Sequence, residues 1–251
     1  CRRGGRLRRA APTIVLLLAM QVWAAEPQRD QFVFTVLSTR GGSWDPDPTI
    51  IDGILQYLTA TTSVRVLPGR RAVAAGDPAL FDSPFVCLTG HEPFESFSDS
   101  EVEALRRFLT GGGLIFANDA MASRGSGFDR AFRREMARVL PESEWQSLPK
   151  DHAVLRAFYL LRQVGGRALA SPTLEGLSWQ GRTAVIYTQN DLLGVWARDR
   201  LGNYQQACVP GGEPQRMEGM KLTLNVILYA LTGTYKTDVI HRPFIQQKLN
   251  P

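Results

Sequence analysis

Largely apolar runs, bounded by polar residues, recur through the first half of the chain. They cover residues 31–37, 64–68, 82–90 and 114–119. A run without polar alternation is typical of a strand that is buried on both faces, as in a parallel sheet. The pattern therefore predicts four strands of a mainly parallel sheet before residue 120.

Apolar residues at helical spacing separate the first two of these runs. Residues 49–62 place five apolar side chains on one face, and Thr49 is the predicted N-cap. The five are Ile50, Ile51, Ile54, Leu55 and Leu58. The segment therefore predicts a helix between the first and second strands.

A capping signal marks the clearest predicted helix, within residues 97–113. Ser98 and Glu101 have the spacing of a capping box, and Gly111 begins a run of three glycines that ends the helix. A further helix is predicted in residues 127–141, with three bulky apolar side chains four residues apart and its arginines on a solvated face.

The second half of the chain is less regular. Residues 148–161 begin as a loop and continue as either a strand or a helix. Residues 174–188 predict a hairpin of two strands around Gln180 and Gly181. Residues 217–233 predict an apolar helix with a stripe of leucines.

Strands that alternate with helices predict one three-layer α/β sandwich with a mainly parallel, flavodoxin-like sheet. In such sheets, ligands bind beyond the carboxyl ends of the strands. The loops at that edge are 38–48, 89–97 and 118–127. These loops are where a functional site is expected.

The first 24 residues have the composition of a secretory signal peptide. Five arginines precede an apolar run of about ten residues, and Val22 and Ala24 fit the cleavage rule. Cleavage after Ala24 leaves one α/β domain over residues 25–234 and a tail over 235–251. The predicted location is the periplasm. A retained anchor is the alternative, and membrane contact is expected only through that uncleaved segment.

The net charge of +5 comes from the predicted signal peptide. That segment holds five of the 29 basic residues and none of the 24 acidic residues, so the mature chain carries 24 of each. A neutral chain lacks the electrostatic attraction for phosphate, and nucleic acid is not an expected partner. The two remaining cysteines, Cys87 and Cys208, are no disulfide framework, although their pairing stays open.

Four segments together resemble a bacterial family known only as domain of unknown function 4159. They cover residues 83–119, 148–159, 181–188 and 224–233. That family resembles the class I glutamine amidotransferase-like fold, a flavodoxin-like α/β sandwich. The resemblance implies this fold for nearly the whole mature chain, and it implies no established activity.

The chain departs from the amidotransferases at the turn that carries their nucleophile. Those enzymes place a cysteine there, whereas this turn holds Ala117, Asn118, Asp119 and Ala120. Cys87 lies inside the preceding strand, where a thiol is usually inert. Because a thiol mechanism needs an exposed, activated sulfur, the sequence excludes glutamine amidotransfer.

His91, Asp119 and His152 are the candidate catalytic residues. His91 and Asp119 follow neighbouring predicted strands, and the loop of His152 could fold over the same edge. An Asp–His pair can serve acid–base catalysis, and two histidines with a carboxylate can hold a metal. No local metal motif supports the second possibility, so no metal is predicted, and a structural hydrogen-bonded cluster is the third interpretation.

Trp44, Asn118, Asp119 and Arg182 are the candidate ligand-binding residues. Trp44 lies in a Gly-Gly loop that matches neither a dinucleotide motif nor a P-loop, so no cofactor is predicted. Trp44 could instead cover the core as a residue at its rim. Arg182 either pairs with a carboxylate at the same edge or occupies a hairpin turn.

Two classes of function stay open at this point. The first is an exported, non-catalytic module of the cell envelope that binds a small ligand or an envelope protein. The second is a hydrolase-like enzyme that uses His–Asp or metal chemistry. The missing nucleophile, the three histidines of the chain and the neutral mature charge favour the first.

Overall fold

The computed structural model describes residues 31–232, in which seven strands and four helices follow one another. The strands are β1 Phe32–Ser38, β2 Val66–Ala74, β3 Phe85–Gly90, β4 Leu114–Asp119, β5 Gln146–Ser147, β6 Glu175–Trp179 and β7 Arg182–Thr188. The helices are α1 Pro48–Thr61, α2 Asp99–Thr110, α3 Gly127–Val139 and α4 Gly212–Thr232. The predicted signal peptide, 1–24, and the predicted tail, 235–251, lie outside the described residues.

All seven strands form one sheet in the order β2-β1-β3-β4-β7-β6-β5. The first five strands of this order are parallel to one another, β6 runs antiparallel to β7, and β5 runs antiparallel to β6. The predicted α/β fold with a mainly parallel sheet is therefore confirmed. Numbered along the chain, the five parallel strands have the 2-1-3-4-5 order of flavodoxin-like sheets.

Helices cover both faces of the sheet and make two hydrophobic cores. The α1–α4 core lies between the sheet and helices α1 and α4, and the α2–α3 core lies on the opposite face. Successive residues of a strand point to opposite faces, so Ile115 of β4 enters the α2–α3 core and Phe116 enters the α1–α4 core. This alternation also decides which residues at the strand ends share a site.

The helix caps confirm one sequence prediction and correct another. At α2, the Ser98 hydroxyl accepts from Glu101 N at 3.3 Å and the Glu101 carboxylate accepts from Ser98 N at 2.7 Å, which is the predicted capping box. At α1, the cap is Asp47, whose Oδ1 accepts from Thr49 N at 2.8 Å. Thr49 is not the cap, because the helix already begins at Pro48, and proline suits the first helical position.

Other element boundaries differ from the prediction where polar residues interrupt the apolar pattern. Strand β2 runs on past Pro68 to Ala74, and α4 begins at Gly212 rather than at residue 217. Residues 148–161 contain a short 3-10 turn, Ala153–Arg156. The predicted hairpin is formed by β6 and β7. Within residues 31–232, no helix is both long enough and apolar enough to span a membrane.

Candidate ligand-binding site

A cavity of about 230 Å³ opens at the carboxyl edge of the sheet. Its walls are the loop between β1 and α1, the ends of β3 and β4, the segment that follows β7, and the Gln205–Gln206 pair. After β1 the chain crosses to one face of the sheet, and after neighbouring β3 it crosses to the other. The cavity therefore lies at the topological switch point, where this architecture places ligands.

Asn118 forms the floor of the cavity and is fully buried. Its Nδ2 donates to Thr89 Oγ1 at 3.0 Å and to Asp191 Oδ1 at 3.3 Å. Its Oδ1 accepts from Leu193 N at 3.2 Å. One carboxamide therefore ties the ends of β3 and β4 to the segment after β7.

Asp191 is a residue of this floor that sequence reasoning missed. Its Oδ1 also accepts from Gly194 N at 3.0 Å, and its Oδ2 is paired with Arg167. Arg167 donates in turn to Ala120 O at 3.2 Å. The signal was present, since Asp191 follows the apolar run of β7. The sequence analysis interpreted that run as half of a hairpin. It therefore did not predict that the same strand also pairs with β4, in parallel.

Ser43 and His91 meet at the mouth of the cavity, and both are exposed. The Ser43 hydroxyl oxygen accepts from the backbone N–H of His91 at 3.0 Å and lies 3.3 Å from its Nδ1. Among the three predicted catalytic candidates, His91 is the one that lines this cavity. The arrangement places a hydroxyl and an imidazole where a bound molecule would contact both.

Asp119 points away from the cavity, toward the start of α3. Its Oδ2 accepts from Ser126 Oγ at 2.6 Å and its Oδ1 accepts from Met121 N at 2.9 Å. Ser126 is the N-cap of α3, and burial raises the pKa of Asp119. None of its described hydrogen bonds reaches His91 or His152. No described hydrogen bond therefore joins Asp119 to the other two candidates, and its carboxylate serves the start of α3 instead.

His152 lies at the opposite, amino-terminal edge of the sheet, against the start of β7. Its Nδ1 accepts from Val154 N at 3.1 Å and caps the 3-10 turn. Its Nε2 lies 2.9 Å from Thr183 Oγ1. Because Nδ1 accepts, Nε2 carries the proton of a neutral ring. Burial lowers the pKa of His152 to about 4, which keeps that ring neutral. The sequence analysis expected the loop of His152 to fold over the carboxyl edge of the sheet. His152 lies at the amino-terminal edge instead.

The remaining candidates also take separate positions. Arg182 donates to Gly113 O at 3.0 Å and to Leu109 O, so it lies at the amino-terminal edge rather than beside the cavity. Trp44 packs partly buried against the α1–α4 core, next in the chain to two lining residues. Of the four predicted ligand-binding residues, Asn118 is the one that lines the cavity.

The described residues offer little for thiol or metal chemistry. Cys87 and Cys208 are both buried free thiols, and burial raises the pKa of each. Across residues 31–232, no three side chains of His, Cys, Asp or Glu are grouped so that they could hold a metal ion.

The strand order and the switch-point cavity define a flavodoxin-like α/β domain with a candidate small-molecule site. Residues 33–231 match the family model described as Domain of unknown function (DUF4159), and the chain belongs to that family. No curated protein matches the chain.

Proposed function

We propose that this chain is a non-catalytic module that binds a small ligand in the switch-point cavity. The observation that carries the proposal is the preorganised floor, where buried Asn118 is held by three neighbours at the edge that binds ligands in this fold. The wall adds apolar surface from Ile50, Leu193 and Ala197. Residues 117–120, where the amidotransferases carry their nucleophile, hold no cysteine or serine, which favours binding over catalysis.

Filling the mouth of the cavity tests this function. Gln206 lines the cavity and its side chain is exposed, so Gln206→Trp should occlude the site without disturbing the core. Gln163→Trp, at an exposed position outside the lining, is the matched control. A small-molecule library is screened by amide chemical shifts of Asn118 and Gly194. Hits should vanish in Gln206→Trp and persist in Gln163→Trp, whereas hits that survive both variants contradict the assignment.

The Ser43–His91 contact favours hydrolysis as the second candidate function. In that reaction, Ser43 Oγ would bond to an acyl carbon as the bond from that carbon to its leaving group breaks, and His91 would take the hydroxyl proton and give it to the leaving group. Water would then cleave the acyl–Ser43 bond and regenerate the hydroxyl. A fluorophosphonate probe tests this directly, because Ser43 Oγ would displace fluoride from phosphorus. Covalent labelling that is lost in Ser43→Ala and retained in Ser96→Ala would replace the binding proposal with this one. We expect no labelling.

We also propose that the module is exported to the periplasm and serves the cell envelope. The basic head, the apolar run and the Val22-x-Ala24 pattern support export. The mass of the mature protein tests it, since cleavage after Ala24 leaves an N-terminus at Ala25. A full-length protein in the cytoplasmic fraction contradicts it. The partner is an unknown small ligand or an envelope protein.

A further inference from the structure

We propose that the ligand of the cavity is an uncharged, polyhydroxylated molecule of about monosaccharide size. This inference rests on the proposed binding function and adds the chemical class of the ligand. It is argued from the charges, the free hydrogen-bonding groups and the volume of the site.

The lining does not suit an anionic ligand. Three of its side chains are carboxylates, Asp45, Asp47 and Asp191, and no lysine or arginine is among the described residues that line it. A phosphate or carboxylate would meet these acids without a fixed cation to balance it. Desolvating an anion that has no cationic partner in the site is unfavourable.

The same carboxylates do not amount to a site for a cation. Arg70 Nε donates to Asp45 Oδ1 at 2.8 Å, and Arg167 is paired with Asp191. Asp47 Oδ1 already accepts the backbone and hydroxyl hydrogens of Thr49, both at 2.8 Å. Two of the three charges are therefore neutralised by arginines outside the lining. The negative charge that remains does not offset the free-energy cost of dehydrating an ammonium group.

What the lining offers a ligand is a set of hydrogen-bond donors and acceptors. The exposed mouth presents the Ser43 hydroxyl, the imidazole of His91 and the carboxamide of Gln206, and no described hydrogen bond uses the Gln206 side chain. Each of these groups can exchange hydrogen bonds with a ligand hydroxyl. The apolar side of the cavity suits the C–H face of the same molecule. At ~30 Å³ per water, the space corresponds to about eight waters.

The wall that carries Gln206 is held rigidly before any ligand binds. The ring of Tyr204 is stacked between two guanidinium groups, Arg198 at 4.0 Å and Arg216 at 3.9 Å. Buried Arg216 donates to Gln206 O at 2.6 Å, and Gln205 Nε2 donates to Arg198 O at 2.6 Å. Because the backbone is fixed, the Gln206 carboxamide contacts a ligand at a lower entropic cost. Gln206 is therefore the residue most able to select hydroxyl groups.

The test uses three sets of probes on the full chain, each followed by amide shifts of Asn118 and Gly194. The neutral set is D-glucose and myo-inositol, the cationic set is putrescine, and the anionic set is inorganic phosphate and glucose 6-phosphate. We expect saturable shifts from a neutral probe and at least tenfold weaker binding of glucose 6-phosphate than of glucose. Gln206→Ala should weaken the neutral probe by about two- to tenfold, as expected for one hydrogen bond, and Gln163→Ala should leave it unchanged.

The outcomes separate this inference from the function on which it rests. Saturable shifts from putrescine or phosphate, without any from the neutral probes, would overturn the ligand class and leave the binding function standing. A cavity that responds to none of the three sets would overturn both. Binding of a neutral probe that Gln206→Ala leaves unchanged would also overturn the assignment, because the probe would then occupy another surface.

Discussion

Asn118 and Asp119 are neighbours at the end of β4, and the alternation of the strand gives them different roles. Asn118 turns toward the α1–α4 side and joins the cavity floor, whereas Asp119 turns toward α3 and holds its N-cap, Ser126. Both are buried, and each is satisfied by its own partners. Two adjacent polar residues therefore have separate roles, Asn118 in the cavity floor and Asp119 at the start of α3.

Removing the Asn118 carboxamide should destabilise the whole domain. Asn118→Ala leaves the Leu193 N–H without its acceptor and takes a donor from Thr89 and Asp191. An unsatisfied buried group costs about 1–3 kcal/mol, so we expect a loss of about 2–4 kcal/mol in the free energy of unfolding. Urea denaturation measures it, with exposed Gln163→Ala as the control near zero. A loss below about 1 kcal/mol would show that Asn118 does not tie the strand ends together.

His152 should make stability depend on pH. Its folded pKa of about 4 lies below the ordinary 6.5, so the neutral ring stabilises the fold. This contribution is complete above pH 6.5 and is lost as the pH falls from 6.5 toward 4. We expect a loss on the order of 2 kcal/mol after allowance for partial exposure.

His152→Asn provides the comparison for this pH dependence. Asparagine keeps an oxygen that can accept from Val154 N but does not titrate. The difference in unfolding free energy between the two proteins should therefore change across this pH range and stay constant above it. An NMR titration that finds the imidazole pKa near 6.5 would contradict the prediction.

Among the elements, those with a local signal were predictable from the sequence. The α2 capping box needs only Ser98 and Glu101, and the β6–β7 turn needs only Gln180 and Gly181, both of which have positive φ values, 48° and 78°. The cap of α1 shows the limit, because both Asp47 and Thr49 suit the role. The start of helix α1 at Pro48 decides between them.

Elements and contacts that depend on pairing were not predictable in this way. The run 182–188 has the pattern of a hairpin strand, and nothing local shows that its other edge pairs parallel to β4. Predicting the residues of the candidate site also required knowledge of which strands pair and in which register. The register that sets Thr89 beside Asn118 decides that these two face the cavity and that Asp119 does not. The loop of His152 was likewise expected at the carboxyl edge of the sheet, whereas His152 lies at the amino-terminal edge. Arg182 follows the β6–β7 turn directly, which is the second of its two predicted positions.

The capping box of α2 should contribute measurably to stability. Ser98→Ala removes the acceptor of Glu101 N, and loss of a serine cap typically costs about 1 kcal/mol. Ser96→Ala is the matched control, because that exposed side chain does not cap the helix, and its effect should stay within about 0.5 kcal/mol. Thermal or urea unfolding compares the two. Equal effects would mean that the cap hydrogen bond carries no net stability.

At the scale of the whole molecule, one sheet is shared by two cores. Strand β4 lies in its centre and sends alternate side chains into each, with Ile115 in the α2–α3 core and Phe116 in the α1–α4 core. Neither layer of helices can bury its apolar face without that sheet. The two cores are therefore expected to unfold together, as one cooperative unit.

Native-state hydrogen exchange distinguishes one unit from two. Ile115→Ala should cost about 2–5 kcal/mol, and Phe116→Ala should cost about 3–5 kcal/mol, since both side chains are fully buried. If unfolding is cooperative, either substitution accelerates exchange of the most protected amides in both α3 and α4 by the same factor. Acceleration confined to α3 in Ile115→Ala, or to α4 in Phe116→Ala, would contradict a single unit. The second of these outcomes would mean that the candidate cavity, which lies on the α1–α4 side, can open while the α2–α3 core stays folded.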